Sequence, residues 1–476
     1  MSSFLDSAIV IGYIAIMFIT GLFIYRKGRN YDEYLIAGRK FNAFFITITL
    51  TAMISSATLG VAGLGYSFGL SGAWFFIMLG IGAWILLFTV AGRLRALAQY
   101  SITDIFEMRY GPSARVTIGL VGTIAYICLL SIGFVGGGRV IQAVFDLPLF
   151  PAMLIMAAPF IAYTALGGLW ASAITNIVKF IILAAGLAIL VPTAISQGGG
   201  WAALSASLPA GSFNLFSGDA LLFVWAFFWV MSLSMWVAAD IYQMLFSARS
   251  ARTAKIGLGF AGLLIILVGL AAAFIGMGAS AIFPNIDPEA AIPALAGTLS
   301  PGLRGLVDVA MLGGSAIAVV IFQIVSSTLL VRGLWPKKQL PLNRMRLISA
   351  LTGLAGLIFA GLMPNIIDLA ELTFRIIVPA TFLPVLAAFY WKRATSAGAL
   401  AGSLSGAISS ALWTFLVLPN LSTNLQSILE PAFIGVVVSA LGLLLGSLLT
   451  PVPSARRVRS FVLPAAEASA GTQANI

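Results

Sequence analysis

The chain has 476 residues, 60% of them hydrophobic and only 9% charged. A soluble protein needs far more charge to cover its surface, so this composition excludes one and points to a polytopic membrane protein. The single cysteine, Cys128, excludes an internal disulfide or a cysteine metal site, and the lack of histidine excludes imidazole triads, metal ligands and proton relays.

Asp6 precedes the first apolar run with no basic segment ahead of it, so that run reads as a first membrane span rather than a cleaved signal. A hydrocarbon core of ~30 Å needs roughly 20 apolar residues per helix. That rule gives about thirteen spans: 4–25, 41–68, 71–98, 115–145, 150–167, 172–196, 219–246, 253–283, 303–333, 345–363, 365–390, 395–418 and 427–450. The tail from 452 to 476 reads as a short flexible end.

The net charge of +11 needs no nucleic-acid partner once the charges are placed. With the N-terminus outside, all but four of the 26 basic residues fall in cytoplasmic connections or the tail. They include Arg26, Lys27, Arg29, Arg39 and Lys40 early in the chain, and Arg332, Lys337, Lys338, Arg344 and Arg346 later. Asp146, Asp219, Asp287 and Glu289 fall outside. This predicts a multi-pass protein of the plasma (inner) membrane with a cytoplasmic C-terminus.

The four exceptions are Arg139, Arg304, Lys179 and Arg375. The first two lie near outer span ends, where snorkelling satisfies them. Lys179 is about eight residues into its span, or roughly 12 Å. It is either functional or snorkels back to the surface. Arg375 follows Glu371 by one turn, and the preferred reading is a structural ion pair.

Two spans have polar, interruptible centres: "LTAMISSATLGVAGLGYSFG" and "WVMSLSMWVAADIYQMLF". Each opens a set of five spans, and a long span comes third in each set. Paired interruptions point to a transporter's binding site, because unwound helix frees backbone groups for ligands. The expected fold is therefore an all-α membrane protein with an inverted-repeat core and two broken helices. Its parts are an extra N-terminal helix (1–30), five-helix repeats at 31–200 and 201–393, two C-terminal helices (394–451) and the tail. Ser55, Ser56 and Thr58 on one broken helix, with Ser232, Ser234 and Trp236 on the other, are the candidate solute ligands. Asp240 reads as a residue that holds its own helix in place.

The stretches "YDEYLIAGRKFNAFFITITLTAMISSATLGVAGLGYSFGLSG", "VAGRLRALAQYSITDIFEMRYG", "YTALGGLWASAITNIVKF" and "DIYQMLFSARSARTAK" resemble the sodium:solute symporter family, over about residues 31–415. The resemblance implies a five-plus-five inverted-repeat fold and solute transport driven by a sodium gradient, with no cofactor beyond sodium as coupling ion. It places sodium-binding backbone carbonyls at about Leu50 and Met53. It places the hydroxyl pair of the site at Ile317 and Ala318, which have no oxygen to offer a hard cation. Ser315 is close but out of register. The family's T-D-x-x-Q reads Thr175-Asn176-Ile177-Val178-Lys179 here, and Met244 stands where the family often has arginine. Asn176 and Lys179 thus bring positive charge where sodium ligands are missing.

The resemblance and these departures leave two coupling modes open in a secondary transporter of a small organic solute. One is sodium symport. The other is proton-coupled or cation-independent transport in which Lys179 replaces sodium. A solute-sensing membrane receptor is the alternative of another class, disfavoured by the short tail. Nothing in the chain reads as an enzyme.

Overall fold

The computed structural model describes residues 4–24, 37–97, 99–216, 220–335 and 340–462. Arg26, Lys27, Arg29, Asp219, Lys337 and Lys338 therefore lie outside the described residues, as does the tail beyond 462. In chain order come α1 (Phe4–Ile24), α2 (Ala43–Ile54), a tight turn Ser55–Ala57 and α3 (Thr58–Phe68). Then follow α4 (Trp74–Thr89), α5 (Ala91–Leu97), α6 (Ile102–Tyr110), α7 (Pro112–Phe145), α8 (Leu149–Gln197) and α9 (Trp201–Ser207). The second half has α10 (Ala220–Phe227), α11 (Leu233–Val237), α12 (Ala239–Ser247), α13 (Ala251–Ile282), α14 (Ala291–Ala296) and α15 (Leu303–Leu334). It ends with α16 (Leu342–Leu362), α17 (Ile366–Tyr390), α18 (Ser396–Leu412), α19 (Thr423–Ile428), α20 (Pro431–Leu448) and α21 (Ala455–Val462).

The described residues are almost wholly helical, as a hydrocarbon environment demands. Among the described residues ten helices are long and apolar enough to cross a membrane, or eleven counting the bent pair Leu221–Val237 and Ala239–Ser247. The exact count of thirteen is not confirmed: Ala43–Thr89, which holds α2 to α4, passes as one run of 47 residues, while α1 has 21 residues, enough for one crossing. Part of the expected flexible tail is the helix α21, whose Phe461 packs edge-on to Phe389 with ring centres 5.5 Å apart.

α8 is 49 residues long, or about 74 Å if straight, more than twice the membrane core. It carries two crossings, Leu149–Leu166 and Asn176–Gln197. The Lys179 ammonium lies 5.9 Å from the Phe160 ring centre and 5.6 Å from that of Tyr163. In a straight helix nineteen residues would separate Phe160 and Lys179 by about 28 Å. The two arms of α8 therefore fold back on each other.

The core centres on α15, whose membrane-spanning window is 100% buried. Small residues let neighbours approach it and each other. A Cβ on Gly119 of α7 would lie 2.6 Å from Gly333 Cα of α15. One on Gly276 of α13 would lie 1.8 Å from the Ala62 carbonyl oxygen of α3, and one on Gly65 would lie 2.2 Å from that of Ala273.

Ion pairs and a backbone stitch tie the two ends of the bundle. On the face expected to be cytoplasmic, Arg332 holds Asp104 at 2.7 Å. There Phe41, two residues before α2, pairs with Ala248, the residue after α12, Phe41 N donating to Ser247 O and Arg249 N to Phe41 O, each at 3.0 Å. On the opposite face Arg139 pairs with Asp287 at 2.9 Å, and Arg304 lies 3.6 Å from Asp308 while donating to Ala143 O. The two arginines expected to snorkel are thus partnered within the protein. Glu289 accepts from Ile366 N, the first amide of α17, at 2.7 Å.

Glu289 lies in the connection between α13 and α15, outside the spanning segments. Burial raises its carboxyl from 4.5 to about 7, against the Ile366 amide and Arg139, which lower it; Asp287 and Asp368 add to the rise. The folded protein therefore holds this proton more tightly than the unfolded chain. Its contribution to stability is fully present below 4.5 and is lost as pH rises through about 7. Thermal unfolding in detergent should show a melting temperature that falls between pH 5 and 8, with part of the slope removed by Glu289→Gln. In the same assay Gly276→Val should cost at least about 1–3 kcal/mol by overpacking α3 against α13. Gly12→Ala, where no atom lies within 4 Å of the new Cβ, should cost nothing measurable.

Candidate functional site

The first break in a spanning helix is the turn Ser55–Ala57 between α2 and α3. Hydroxyls take up carbonyls there: Ser55 Oγ donates to Thr51 O at 2.7 Å and Thr58 Oγ1 to Ser55 O at 2.5 Å. The second break follows a wide helical turn at Phe228–Ser232 and falls at Ala238, which is extended (φ −67°, ψ 111°). The axis bends by 40° there. Ser234 Oγ donates to Met231 O, Ser232 Oγ to Met78 O and the Tyr242 hydroxyl to Trp236 O. Such side-chain bonds let a helix open in an apolar medium without stranding backbone groups.

A cavity of about 50 Å³ lies between the two breaks. Its walls are mostly apolar, with Met235 and Ala238 from the second break, Phe322 from α15 and Phe374 from α17. Two polar residues reach it, Ser56 and Asp240. Of the six residues expected to meet solute, Ser56 alone is in this wall. Ser55, Thr58, Ser232 and Ser234 spend their hydroxyls on backbone, and Trp236 is buried behind the wall, edge-on to Phe382. Asp240 lines the cavity and accepts a hydrogen bond from the Tyr126 hydroxyl of α7, which ties its helix to that neighbour.

The expected cation region lies where α2 and the first break pack against α8 and α15. A Cβ on Gly314 would lie 3.7 Å from Ser55 O and 3.8 Å from Leu183 Cδ1. One turn before Leu183 on α8, Lys179 Cβ would lie 3.7 Å from a Cβ on Gly313. Lys179 thus stands one turn from the meeting of α8, α15 and the break. It is fully buried and its ammonium has no hydrogen-bond partner among the described residues. Two aromatic faces remain, a contact of about 2 kcal/mol when desolvated. The snorkelling reading is overturned, because the ammonium turns inward between the arms of α8.

Oxygen ligands are scarce on the α15 side. Ile317 and Ala318 are apolar and fully buried, and Ser315 Oγ donates to Met311 O and faces Gly136 of α7. Leu50 and Met53 are buried on α2 at the break. Two buried oxygens without hydrogen-bond partners among the described residues, Thr49 Oγ1 on α2 and Asn176 Oδ1 on α8, lie on packed helices. Thr49 was not singled out by sequence, since hydroxyls are common in membrane helices. Met244, the third departure from the family pattern, is buried among apolar residues.

The family model for the sodium:solute symporter family matches residues 34–406. The chain belongs to that family. As a member of it, the protein is a multi-pass membrane transporter. Among curated relatives, the high-affinity proline transporter PutP of Bacillus subtilis (strain 168) is 28% identical, over 92% of this chain and 97% of the relative. The sodium/proline symporter of Staphylococcus aureus (strain JH9) is 27% identical over 93% and 92%. Among solved structures, a Na+-coupled sialic acid symporter superposes with a TM-score of 0.78 at 16% identity, covering 95% of this chain and 99% of that one. The nucleobase-cation-symport-1 transporter Mhp1 follows at 0.61 and 12%, covering 90% and 98%. These two likenesses establish the fold: an inverted-repeat core with two broken helices.

Arg375 is part of that frame. Its guanidinium contacts Glu371 at 2.8 Å and Glu430, at the start of α20, at 2.6 Å. The expected Glu371 pair is present, and Glu430 joins it from 55 residues away. Removing one partner strands a buried charge, so Arg375→Gln should lower stability by about 3–5 kcal/mol. Thermal unfolding checks the loss, and solute affinity of the remaining folded protein should stay within about twofold, since coupling fades between separate sites.

Proposed function

We propose that this symporter carries a small organic solute of amino-acid size across the plasma membrane by alternating access, in symport with sodium. The observation that carries the reading is the cavity between the two helix breaks, reached by Ser56 and Asp240. Its volume of about 50 Å³ is tight for an amino acid, but the Met53 and Met235 side chains in its wall are flexible. Ser55, Thr58, Ser232 and Ser234 keep the breaks open, while Trp236 moves with the wall. The proline named for the curated relatives is the first solute to test. The charge asymmetry supports an external N-terminus and a cytoplasmic C-terminus.

For the coupling ion, the carbonyls of Leu50 and Met53, with Ser315, Thr49 and Asn176, supply candidate oxygens for sodium. A second reading is favoured by one observation: Lys179 is buried, unpaired and beside this region, while Ile317 and Ala318 bring no ligand. In that reading the ammonium takes the place of sodium, and its proton is the coupled ion.

Uptake into proteoliposomes separates the two, with sodium replaced by choline at fixed pH, with and without an imposed proton gradient. Sodium coupling predicts that uptake falls to background in choline. Undiminished uptake contradicts it and assigns the role to Lys179. Lys179→Gln should then abolish the response to the proton gradient, and an unchanged response would rule that reading out.

A further inference from the structure

Most buried carboxylates among the described residues pair with an arginine, and Asp240 does not. Glu371 and Glu430 share Arg375, Asp308 meets Arg304, Asp104 meets Arg332, and Glu289 lies within 3.8 Å of Arg139. Asp6 accepts two backbone amides, those of Gly302 and Gly305. Asp240 is only 6% exposed and forms no ion pair among the described residues. Its hydrogen bonds are with the hydroxyl of Tyr126, which donates to Oδ1 and accepts from Asp240 N at 3.2 Å, and with backbone amides in the first turn of α12, its own and that of Ile241. Asp240 also lines the central cavity.

A carboxylate taken out of water without a cation is expensive. A cavity that presents one such group among apolar walls is matched to a solute with one positive charge and an apolar body. We infer that Asp240, positioned by Tyr126, receives an ammonium group of the transported solute. The inference rests on the solute reading above and narrows it to amines and amino acids, at the expense of sugars and simple carboxylates. The phenyl rings of Phe322 and Phe374, both in the cavity wall, offer faces for the rest of that body.

The plain structural role of Asp240 is as an acid in the first turn of α12, where it complements the helix dipole. Asp240→Asn removes that charge too, at a cost of about 0.3–1 kcal/mol in stability, but a dipole role predicts no change in the preference for an amine over its carbon analogue. This separates the two roles.

The test uses two solutes that differ only in the amine: proline and cyclopentanecarboxylate. Binding is measured on the purified full chain, with thermal unfolding as the control for folding. The wild type should bind proline about 100-fold more tightly than its carbon analogue. Asp240→Asn should lose about 100-fold in proline affinity with no change for the analogue, and Asp240→Glu should restore part of the loss. Tyr126→Phe should weaken proline by a smaller factor. Equal binding of the two solutes by the wild type, or unchanged proline affinity in a folded Asp240→Asn, overturns the inference. So does an Asp240→Asn that keeps the preference for proline but loses its sodium dependence, because the carboxylate would then serve the ion. If the wild type binds neither solute, the proline reading fails by itself. The carried solute is then found by a thermal-shift panel of amines, sugars and carboxylates, and one without an ammonium overturns this inference as well.

Discussion

Backbone groups cannot be left unpaired in hydrocarbon, and the site depends on how this chain meets that constraint. It opens two of its spanning helices, and at both openings serine and threonine hydroxyls bond nearby carbonyls, Ser232 reaching that of Met78 on α4. The cavity exists because those openings face each other. The same constraint explains the glycines: Gly65 and Gly276 let α3 and α13 touch backbone to backbone, which holds one half of the first broken helix. The other half is stitched to the second broken helix through Phe41 and Ser247.

Charge in the interior follows a second economy. The guanidiniums of Arg375, Arg304 and Arg332 are each matched by carboxylates, so they belong to the frame. Lys179 and Asp240 are not matched by each other or by anything else of opposite charge among the described residues. One is a cation beside the expected ion region, the other an anion at the solute cavity. A cationic group of the solute would offset the second charge, while the first stands, in the second coupling reading, where sodium would otherwise bind. Desolvation makes an unmatched charge of either sign costly.

Much of this was legible from residues alone. Apolar run lengths gave the order of spans, and the small hydroxylated centres located both breaks, because helix opening needs those side chains locally. The Glu371–Arg375 pair was legible because it sits on one helix turn. Glu430 was not, since its contact depends on how α20 packs against α17. The role of the hydroxyls was misjudged for a related reason. Sequence shows that serine is present, while only the backbone geometry shows that Ser55, Thr58 and Ser234 bond their own helix. The inward turn of Lys179 requires the fold-back of α8, and no spacing in the sequence encodes the rings of Phe160 and Tyr163 lying over it. That Asp240 lines the cavity, and that Thr49 Oγ1 has no hydrogen-bond partner among the described residues, both depend on neighbouring helices that no local spacing encodes.

The claim on which the account stands is that solute occupies the space between the two breaks. Cys128 is the sole cysteine, so Cys128→Ser gives a background in which one new thiol reports its own surroundings. Ala57→Cys places that thiol in the cavity wall at the first break. Its rate of reaction with a small maleimide should be measured in membranes with and without the transported solute. The account predicts that solute slows labelling at this position and leaves a lipid-facing control, Phe415→Cys, unchanged. Labelling at Ala57→Cys that ignores saturating solute would contradict it.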